Sequence, residues 1–345
     1  MNIGFLITNW EDIDPNKSST LRIIHECAAR KHNVYVLYPQ NLTVRNNIVH
    51  GFVKEILAGD KVSESIITFH KKAAFKEKLS PLHAFDCIFI RKDPPIDSLI
   101  LNFLDSVKSE TLIMNDIEGL RKANNKLYTT TFHDPNNTFL PITHVSKNKG
   151  YLQKIIDESP SDKMILKPLD GSGGRGVIVL EKSAPNNISS LLDFYINRGS
   201  EKTYVIIQDY ITGAEQGDIR VLMLNGVPIG AYRRVPAKNE IRANIHAGGS
   251  PQKYVLTEKQ KHVLKKIGPK LISDGLYFVG VDMIGEKVLE INVCNPGGIT
   301  NINKLNKAKL QKKVVDFIED KVHAKKEKRA EMEYLLKRLS ELRNT

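Results

Sequence analysis

Asp282, Glu290 and Asn292 lie in the stretch VDMIGEKVLEIN, on two consecutive strand-like runs. Glu290 and Asn292 are two apart and so share one face of a strand. Asp282 joins that face when the connecting loop has an odd number of residues. A three-residue loop, 285–287, sets Asp282 directly opposite Glu290. Two carboxylates and one amide oxygen then converge. That hard-oxygen set suits Mg²⁺, which takes few protein ligands and completes its shell with phosphate oxygens and water. The competing reading is a solvent-facing polar edge. The apolar company in VLEIN and the repulsion between the two carboxylates weigh against it, whereas an even-length loop would break the arrangement.

A second group of residues has the chemistry to meet phosphates. KPLDGSGGRGV, residues 167–177, contains Gly171, Gly173 and Gly176 and so matches G-x-G-x-x-G. A dinucleotide fingerprint requires a strand before that pattern and a helix after it. Here MILKPL supplies the strand, but VIVLEK, alternating and β-branched, reads as strand again. A P-loop is excluded because no Gly-Lys-Ser/Thr ends the run. The remaining readings are a phosphate-covering flap and an ordinary flexible hairpin. In a flap, Gly171 to Gly174 would let backbone N–H groups approach phosphate oxygens. Lys167 would lie beneath it, and Gly176 would be incidental to the dinucleotide fingerprint, because a strand follows.

Further on, Gln208 to Ile211 end a strand, where exposed backbone could bond an adenine edge. Asp218 and Arg220 open the next strand, and Arg220 offers a charge-assisted contact to phosphate. RRVP and RANIHAGG bring Arg233, Arg234, Arg242 and Asn244, a cluster suited to an anionic intermediate. Taken singly, each arginine reads better as a surface residue.

These residues need elements to hold them. The first 120 residues alternate strand and helix patterns: NIGFLIT, a helix capped by Ser18 or Ser19 and running to about Lys31, NVYVLY, a hairpin-like region over 41–80, DCIFIR, a helix near 96–107, and TLIMN. Strands separated by helices predict a parallel α/β layer. From Asn124 onward, short strands joined by Gly-rich turns predict antiparallel hairpins. LTEKQKHVLKKIGPKLISDG reads as a helix, with Thr257 as cap and Gly275 as stop.

The chain has 345 residues, 41% hydrophobic and 26% charged, the composition of a globular protein with more than one core. The first apolar run, IGFLI, is short and lacks a basic start, so it reads as a strand rather than a signal peptide. Cys27, Cys87 and Cys294 form neither a disulfide framework nor a zinc pattern, which fits a cytoplasmic setting. The net charge of +12 invites a nucleic-acid reading, but from Lys304 onward 13 Lys/Arg face 7 Asp/Glu, half of that excess. That segment has helix-spaced opposite charges and no aromatic interleaving. It predicts a solvated or partner-binding helix, with polyanion binding as the alternative.

In this order the motifs resemble the ATP-grasp ligases. The likeness runs through Lys126 in NNKLYTTTF, LKPLDGSGG, QDYI, DIRVL, RANIHAGG and VGVDMIG…LEIN. Within that superfamily the N-terminal part is similar to bacterial glutathione synthetase, through IRKDPP (90–95) and NKSSTLRIIHECAARKH. The resemblance implies an α/β (α+β) ATP-grasp fold. Its parts are a parallel α/β pre-ATP-grasp domain (1–122), a central subdomain with the flap (123–200), a C-terminal subdomain with the metal site (201–318), and a charged helical tail (319–345). The two antiparallel α+β subdomains would clamp ATP.

The same resemblance implies site roles. Lys126 and Lys167 hold the α- and β-phosphates under Gly171, Ser172, Gly173 and Gly174. Gln208, Asp209, Tyr210 and Ile211 meet adenine, with Arg220 also at the nucleotide. Asp282, Glu290 and Asn292 hold Mg²⁺, two ions, with Mn²⁺ as an alternative metal. Arg220, Arg242 and Lys167 stabilise the transferring phosphoryl group. Lys17, Ser19, Arg91, Arg234, Asn244, Gly297 and Gly298 face the substrates. Implied partners are γ-glutamylcysteine, glycine and ATP, in a homo-oligomer, with neither membrane nor nucleic acid.

One region departs from the family pattern. After LEINV the family carries a Ser-Pro-Thr type turn and an Ile-Arg-Glu run; this chain has CNPGGITNIN, 294–303. The Thr position is Gly297 and the Arg position is Thr300. A ligase with a different donor or acceptor, and a non-catalytic nucleotide-binding regulator, therefore stand as alternatives. The intact Asp282, Glu290, Asn292, Lys126 and Lys167 argue against the regulator.

Overall fold

The computed structural model describes residues 1–57, 59, 62–171, 173–237 and 248–343. They form two compact units, Met1–Ile117 with Ala308–Thr345, and Glu118–Lys307.

In the first unit, β1 (Asn2–Leu6), α1 (Ser19–Ala29), β2 (Asn33–Leu37), β3 (Leu42–Arg45), β4 (Ile48–Leu57), α2 (Ile66–Lys71), β5 (Ala74–Pro81), β6 (Cys87–Ile90), α3 (Ser98–Asp105) and β7 (Leu112–Met114) follow in order. One mixed sheet runs β3-β4-β2-β1-β6-β7, with β5 also paired to β4. β2, β1, β6 and β7 are parallel, as their unbroken apolar runs require of strands covered on both faces. The 41–80 region supplies the antiparallel β3, β4 and β5. Ser18 caps α1 by accepting from the Leu21 N–H, and the helix turns Leu21, Ile23, Ile24, Cys27 and Ala28 inward. It ends at Ala29, just short of Lys31, where the chain takes a positive φ of 62°.

α4 (Ile117–Ala123) leads to the second unit and a 3₁₀ turn over Lys126–Thr131. β8 (Thr143–Ser146), α5 (Lys149–Glu158), β9 (Lys163–Pro168), β10 (Ile178–Glu181), α6 (Pro185–Ile196) and β11 (Val205–Asp209) follow, and the strands pair as β10-β9-β11-β8, all antiparallel. Then come β12 (Asp218–Leu224), β13 (Val227–Val235), β14 (Ser250–Lys253), α7 (Glu258–Ser273), β15 (Phe278–Ile284), β16 (Lys287–Asn292) and α8 (Ile299–Asn306). These strands form a second antiparallel sheet in the order β14-β13-β12-β15-β16. α7 begins at the Thr257–Gln260 capping box, and the chain leaves it through Gly275 at φ 71°.

The last helix, α9 (Leu310–Arg343), belongs to the first unit. It starts well before residue 319, so the expected charged tail is the outer part of a longer helix. Leu310, Val314, Val315, Ile318 and Val322 bury one side of its first half.

Candidate active site

The flap sheet divides its residues by strand alternation. Met164, Leu166, Val205 and Ile207 face an apolar layer with Leu152, Ile156, Ile188 and Leu192 from α5 and α6. The other face therefore carries Ile165, Lys167, Ile206 and Gln208, with Lys167 paired to Ile206 and Ile165 to Gln208. Lys167 is only 7% exposed. Its Nζ donates to Gln208 Oε1 at 2.9 Å, and Gln208 Nε2 donates to Thr143 Oγ1 at 2.7 Å. Burial pushes the Lys167 ammonium down to about 8; Glu290 pulls it up and Lys126 pushes it further down. A buried ammonium held by a neutral amide is half of an ion pair, and it invites an anion. Gln208, expected at adenine, is thus the residue that holds Lys167.

Lys126 opens the 3₁₀ turn. Its Nζ donates to the Gly171 carbonyl and lies 3.8 Å from Glu290 Oε1. Tyr128, in the same turn, donates to Asp274 Oδ2 at 2.9 Å. Lys122 and Lys270 also bond Asp274, each at 2.9 Å. Burial raises the Asp274 carboxyl, but these donors outweigh it and hold the group down at about 2. The end of α7 therefore fixes the turn that carries Lys126.

The glycine run joins two antiparallel strands, with Ile178 paired to Leu166, so strand–loop–strand is its geometry. Outside the dinucleotide fingerprint, Gly176 has a structural place of its own. It sits at φ 73°, a Cβ there would lie 3.2 Å from Pro168, and its carbonyl accepts from the Tyr195 hydroxyl at 3.0 Å. Those contacts close the base of the loop. Ser172 lies outside the described residues, as do Arg242 and Asn244.

The second sheet lines up charge across its strands. Tyr232, Arg220, Asp282 and Glu290 form one transverse row over β13, β12, β15 and β16. Arg234 pairs with Asp218, and Gly280 with Asn292, on adjacent rows. Directly opposite residues share a face. The hairpin reaches this register differently from expectation. Ile284 pairs with Lys287, so the turn is the even pair Gly285–Glu286, not three residues. The register then shifts between Asp282 and Met283, leaving Leu289 as an extra residue on β16. That bulge supplies the odd count and returns Glu290 to the face of Asp282.

Arg220 grips Asp282 with both arms, Nε to Oδ1 at 2.5 Å and Nη2 to Oδ2 at 2.9 Å; its Nη1 donates to the Gly297 carbonyl at 3.2 Å. Arg234 bonds Asp218 at 2.6 and 2.5 Å and stands 2.9 Å from Asp282 Oδ2. Asn292 Nδ2 donates to Asp282 Oδ2 at 3.2 Å. Burial raises the Asp282 carboxyl, while Arg220 and Arg234 dominate and hold it well below the usual carboxylate range. Asp218 moves the other way, because burial outweighs its share of Arg234 and Asp282 adds repulsion. The sequence reading names Asp218 beside Arg220 without giving it a site role; its spacing of two from Arg220 is the signal that places both on one face.

The donor set fits a hard divalent cation. A carboxylate has about four lone-pair sites. Oδ2 of Asp282 takes the Arg220, Arg234 and Asn292 donors, whereas Oδ1 takes only Arg220 among the bonds described. Glu290, with its side chain one-third exposed, and the Asn292 amide complete the set. A cavity bounded by Lys126, Lys167, Gly171, Gly174, Asp282 and Glu290 continues past Gln208, Asp209, Tyr210 and Ile211. It thus brings the predicted cations, acidic residues and strand end together. Gly297 has open space at its Cα, and Gly298 N-caps α8.

In the first unit, Arg91 is buried and its Nε donates to Thr20 Oγ1 at 3.0 Å, next to the buried Ser19. Thr20 was not foreseen. Lys17 stands apart, 77% exposed and 3.5 Å from Asp14.

Solved structures share this architecture. D-cycloserine synthetase DcsG superposes with a TM-score of 0.62 at 14% identity, over 94% of this chain and 99% of that one. D-alanine-D-alanine ligase from Coxiella burnetii gives 0.57 at 13%, over 97% and 99%. The fold, with its flap sheet facing a charged sheet, is that of the ATP-grasp proteins. The family is narrower than the fold. Residues 1–121 match the prokaryotic glutathione synthetase N-terminal domain, and 125–307 match the prokaryotic glutathione synthetase ATP-grasp domain. Glutathione synthetase of Synechococcus elongatus is 33% identical over 89% of this chain and 94% of its own length. That of Agrobacterium fabrum is 32% identical over 93% and 97%. The chain belongs to the prokaryotic glutathione synthetase family.

Proposed function

We propose that this chain is a glutathione synthetase-type ligase. It joins the carboxylate of γ-glutamylcysteine to the amine of glycine and converts ATP to ADP and phosphate. The observation that carries the reading is the meeting of Lys126 and Lys167 with Asp282 and Glu290 around one cavity, with Asn292 bonded to Asp282. Family membership supplies the reaction class and the use of ATP.

In this reading a substrate carboxylate oxygen attacks the γ-phosphorus and ADP leaves, forming an acyl phosphate. The amine then attacks the acyl carbon, loses a proton, and phosphate departs. No side-chain nucleophile takes part, so catalysis rests on positioning and charge neutralisation. Lys167, steadied by Gln208, and Lys126, fixed at the flap base, meet phosphate oxygens from one side. The flap loop excludes water, and the edge of β11 near Asp209–Ile211 receives the adenine. Asp282, Glu290 and Asn292 would hold Mg²⁺, two ions in the family reading or Mn²⁺ in its place. Bound there, the metal would offset the negative charge of the phosphate oxygens.

Arg220 and Arg234 take a revised role. Both are committed to Asp282, so they fix the ligand carboxylate, and Arg220 also the 297 turn, rather than reach freely for phosphate. Arg242, Asn244 and Ser172 keep their proposed substrate and phosphate roles on family grounds alone. The substrate-facing roles of Ser19, Arg91, Gly297 and Gly298 are proposals of the same kind. So are the four-part domain division, a homo-oligomeric state and a cytoplasmic location. Among the described residues no helix is long and apolar enough to cross a membrane.

The test supplies ATP, Mg²⁺ and γ-glutamylcysteine, varies the amine, and reads phosphate release with product mass. Glycine-dependent formation of the tripeptide is the expected result. Turnover only with another amine would keep the ligase and reject its acceptor; nucleotide binding without turnover would favour a regulator.

A further inference from the structure

The ties described between α9 and the body of the first unit lie in the first half of the helix. Arg30 bridges Asp316 and Glu319 at 2.6 and 2.9 Å. Further along, Lys325 Nζ donates to the Lys108 carbonyl at 2.7 Å and Lys326 pairs with Asp86 at 2.5 Å. Residues 327–339 beyond them are all exposed.

This outer segment is not simply a solvated charged helix. Met332, Leu335, Leu336 and Leu339 are 52%, 46%, 59% and 57% exposed. Their spacing of i, i+3, i+4, i+7 puts them on one side of the helix. An apolar stripe of this kind facing water marks an interaction surface.

Two features of the stripe select its partner. First, its apolar positions are symmetric about the point between Leu335 and Leu336. An antiparallel copy therefore sets Met332 against the partner's Leu339, and Leu335 against the partner's Leu336. Second, Glu331 and Arg338 lie two helical turns apart, on the same edge of the stripe. A two-fold axis across an antiparallel pair makes like edges face each other, so Glu331 comes beside the partner's Arg338, and the reciprocal pair forms as well. Neither residue has an ion-pair partner among the described residues, and both are exposed. Glu327, Glu331 and Glu333 interleave with the basic residues, which disfavours an anionic membrane and suits a helix of the same mixed charge.

We propose that the outer segment of α9 pairs antiparallel with the same segment of a second copy of this chain, about a two-fold axis between Leu335 and Leu336.

The test is sedimentation of the full chain over a range of concentrations, with circular dichroism to verify retained helix. The wild-type chain should show an association step. Glu331→Arg and Arg338→Glu each place like charges together twice in a self-pair, and each should weaken that step by about tenfold or more. An equimolar mixture of the two variants restores opposite charges at both contacts and should recover wild-type association. Leu335→Glu should abolish the step in either background. A wild-type chain without the step, single variants that associate normally, or a mixture that fails to recover would overturn the proposal. So would binding to phosphatidylserine vesicles in place of self-association.

Discussion

Arg220 and Asp282 stand opposite each other on β12 and β15 and are joined by two hydrogen bonds, at 2.5 and 2.9 Å. Arg234 approaches the same carboxylate at 2.9 Å. One buried carboxylate thus neutralises two guanidiniums besides being a candidate metal ligand. Asp282→Asn should therefore lower stability by about 3–5 kcal/mol, because it leaves the buried Arg220 without its carboxylate. Urea unfolding reads this directly; an unchanged midpoint would show that the pairing carries no weight.

Glu290 separates the metal role from that structural one. It is one-third exposed and lies 3.8 Å from Lys126 without a guanidinium clamp. Glu290→Gln should leave the unfolding midpoint nearly unchanged and reduce Mg²⁺-supported kcat by about 10²–10³-fold. A fully active variant with an unaltered Mg²⁺ titration would remove Glu290 from the ligand set.

Lys167 should impose a pH limit on nucleotide binding. Burial lowers its folded-state value to about 8 from 10.5. The ammonium that attracts phosphate is complete below about 8 and is lost as pH rises through it. The same shift makes the folded form favour the neutral amine, so this group's contribution to stability rises between about 8 and 10.5. ATP affinity, followed by calorimetry, should fall above pH 8 in the wild type. In Lys167→Arg, weaker overall, it should stay flat.

Gly280 makes room for the Arg220 clamp. A Cβ there would lie 3.1 Å from Pro296 Cβ and 3.3 and 3.4 Å from Arg220 Cδ and Nη1. Gly280→Ala should cost about 1–3 kcal/mol by overpacking. The loss should shrink in an Arg220→Ala background, as a double-mutant cycle of unfolding free energies would reveal.

Asp274 ties the Lys126 turn to α7. Its folded value of about 2 lies below the unfolded 3.8, so its stabilising contribution is complete above about 4 and vanishes as pH falls towards 2. The wild type should lose stability across that interval more steeply than Asp274→Asn. Parallel acid profiles would count against the Tyr128–Asp274–Lys270 tie.

What the sequence reveals and hides follows the range of each interaction. The Thr257 cap, the Gly275 stop and the alternation around Glu290 and Asn292 depend on neighbours within a few residues, and all are legible. The Leu289 bulge depends on a mismatch with the partner strand, so a loop count alone misplaces the turn while reaching the right register. The partnership of Lys167 with Gln208 crosses 41 residues, and that of Arg220 with Asp282 crosses 62. Residue types alone present these as separate ligands, whereas the fold makes them pairs. The helical reading of the segment from Lys304 onward anticipates α9 at Leu310–Arg343, where Leu310, Val314, Ile318 and Val322 also repeat at helical spacing. The boundary at 319 follows the family likeness instead, and it cuts this helix in two.

The central claim is that a substrate carboxylate attacks ATP in a site without a protein nucleophile. The direct measurement uses γ-glutamylcysteine carrying ¹⁸O in both oxygens of its cysteinyl carboxylate, with ATP, Mg²⁺, glycine and this enzyme. Mass spectrometry then follows the label. An acyl phosphate route predicts one ¹⁸O in the released phosphate and one in the new amide carbonyl. Unlabelled phosphate formed alongside the amide product would contradict the account.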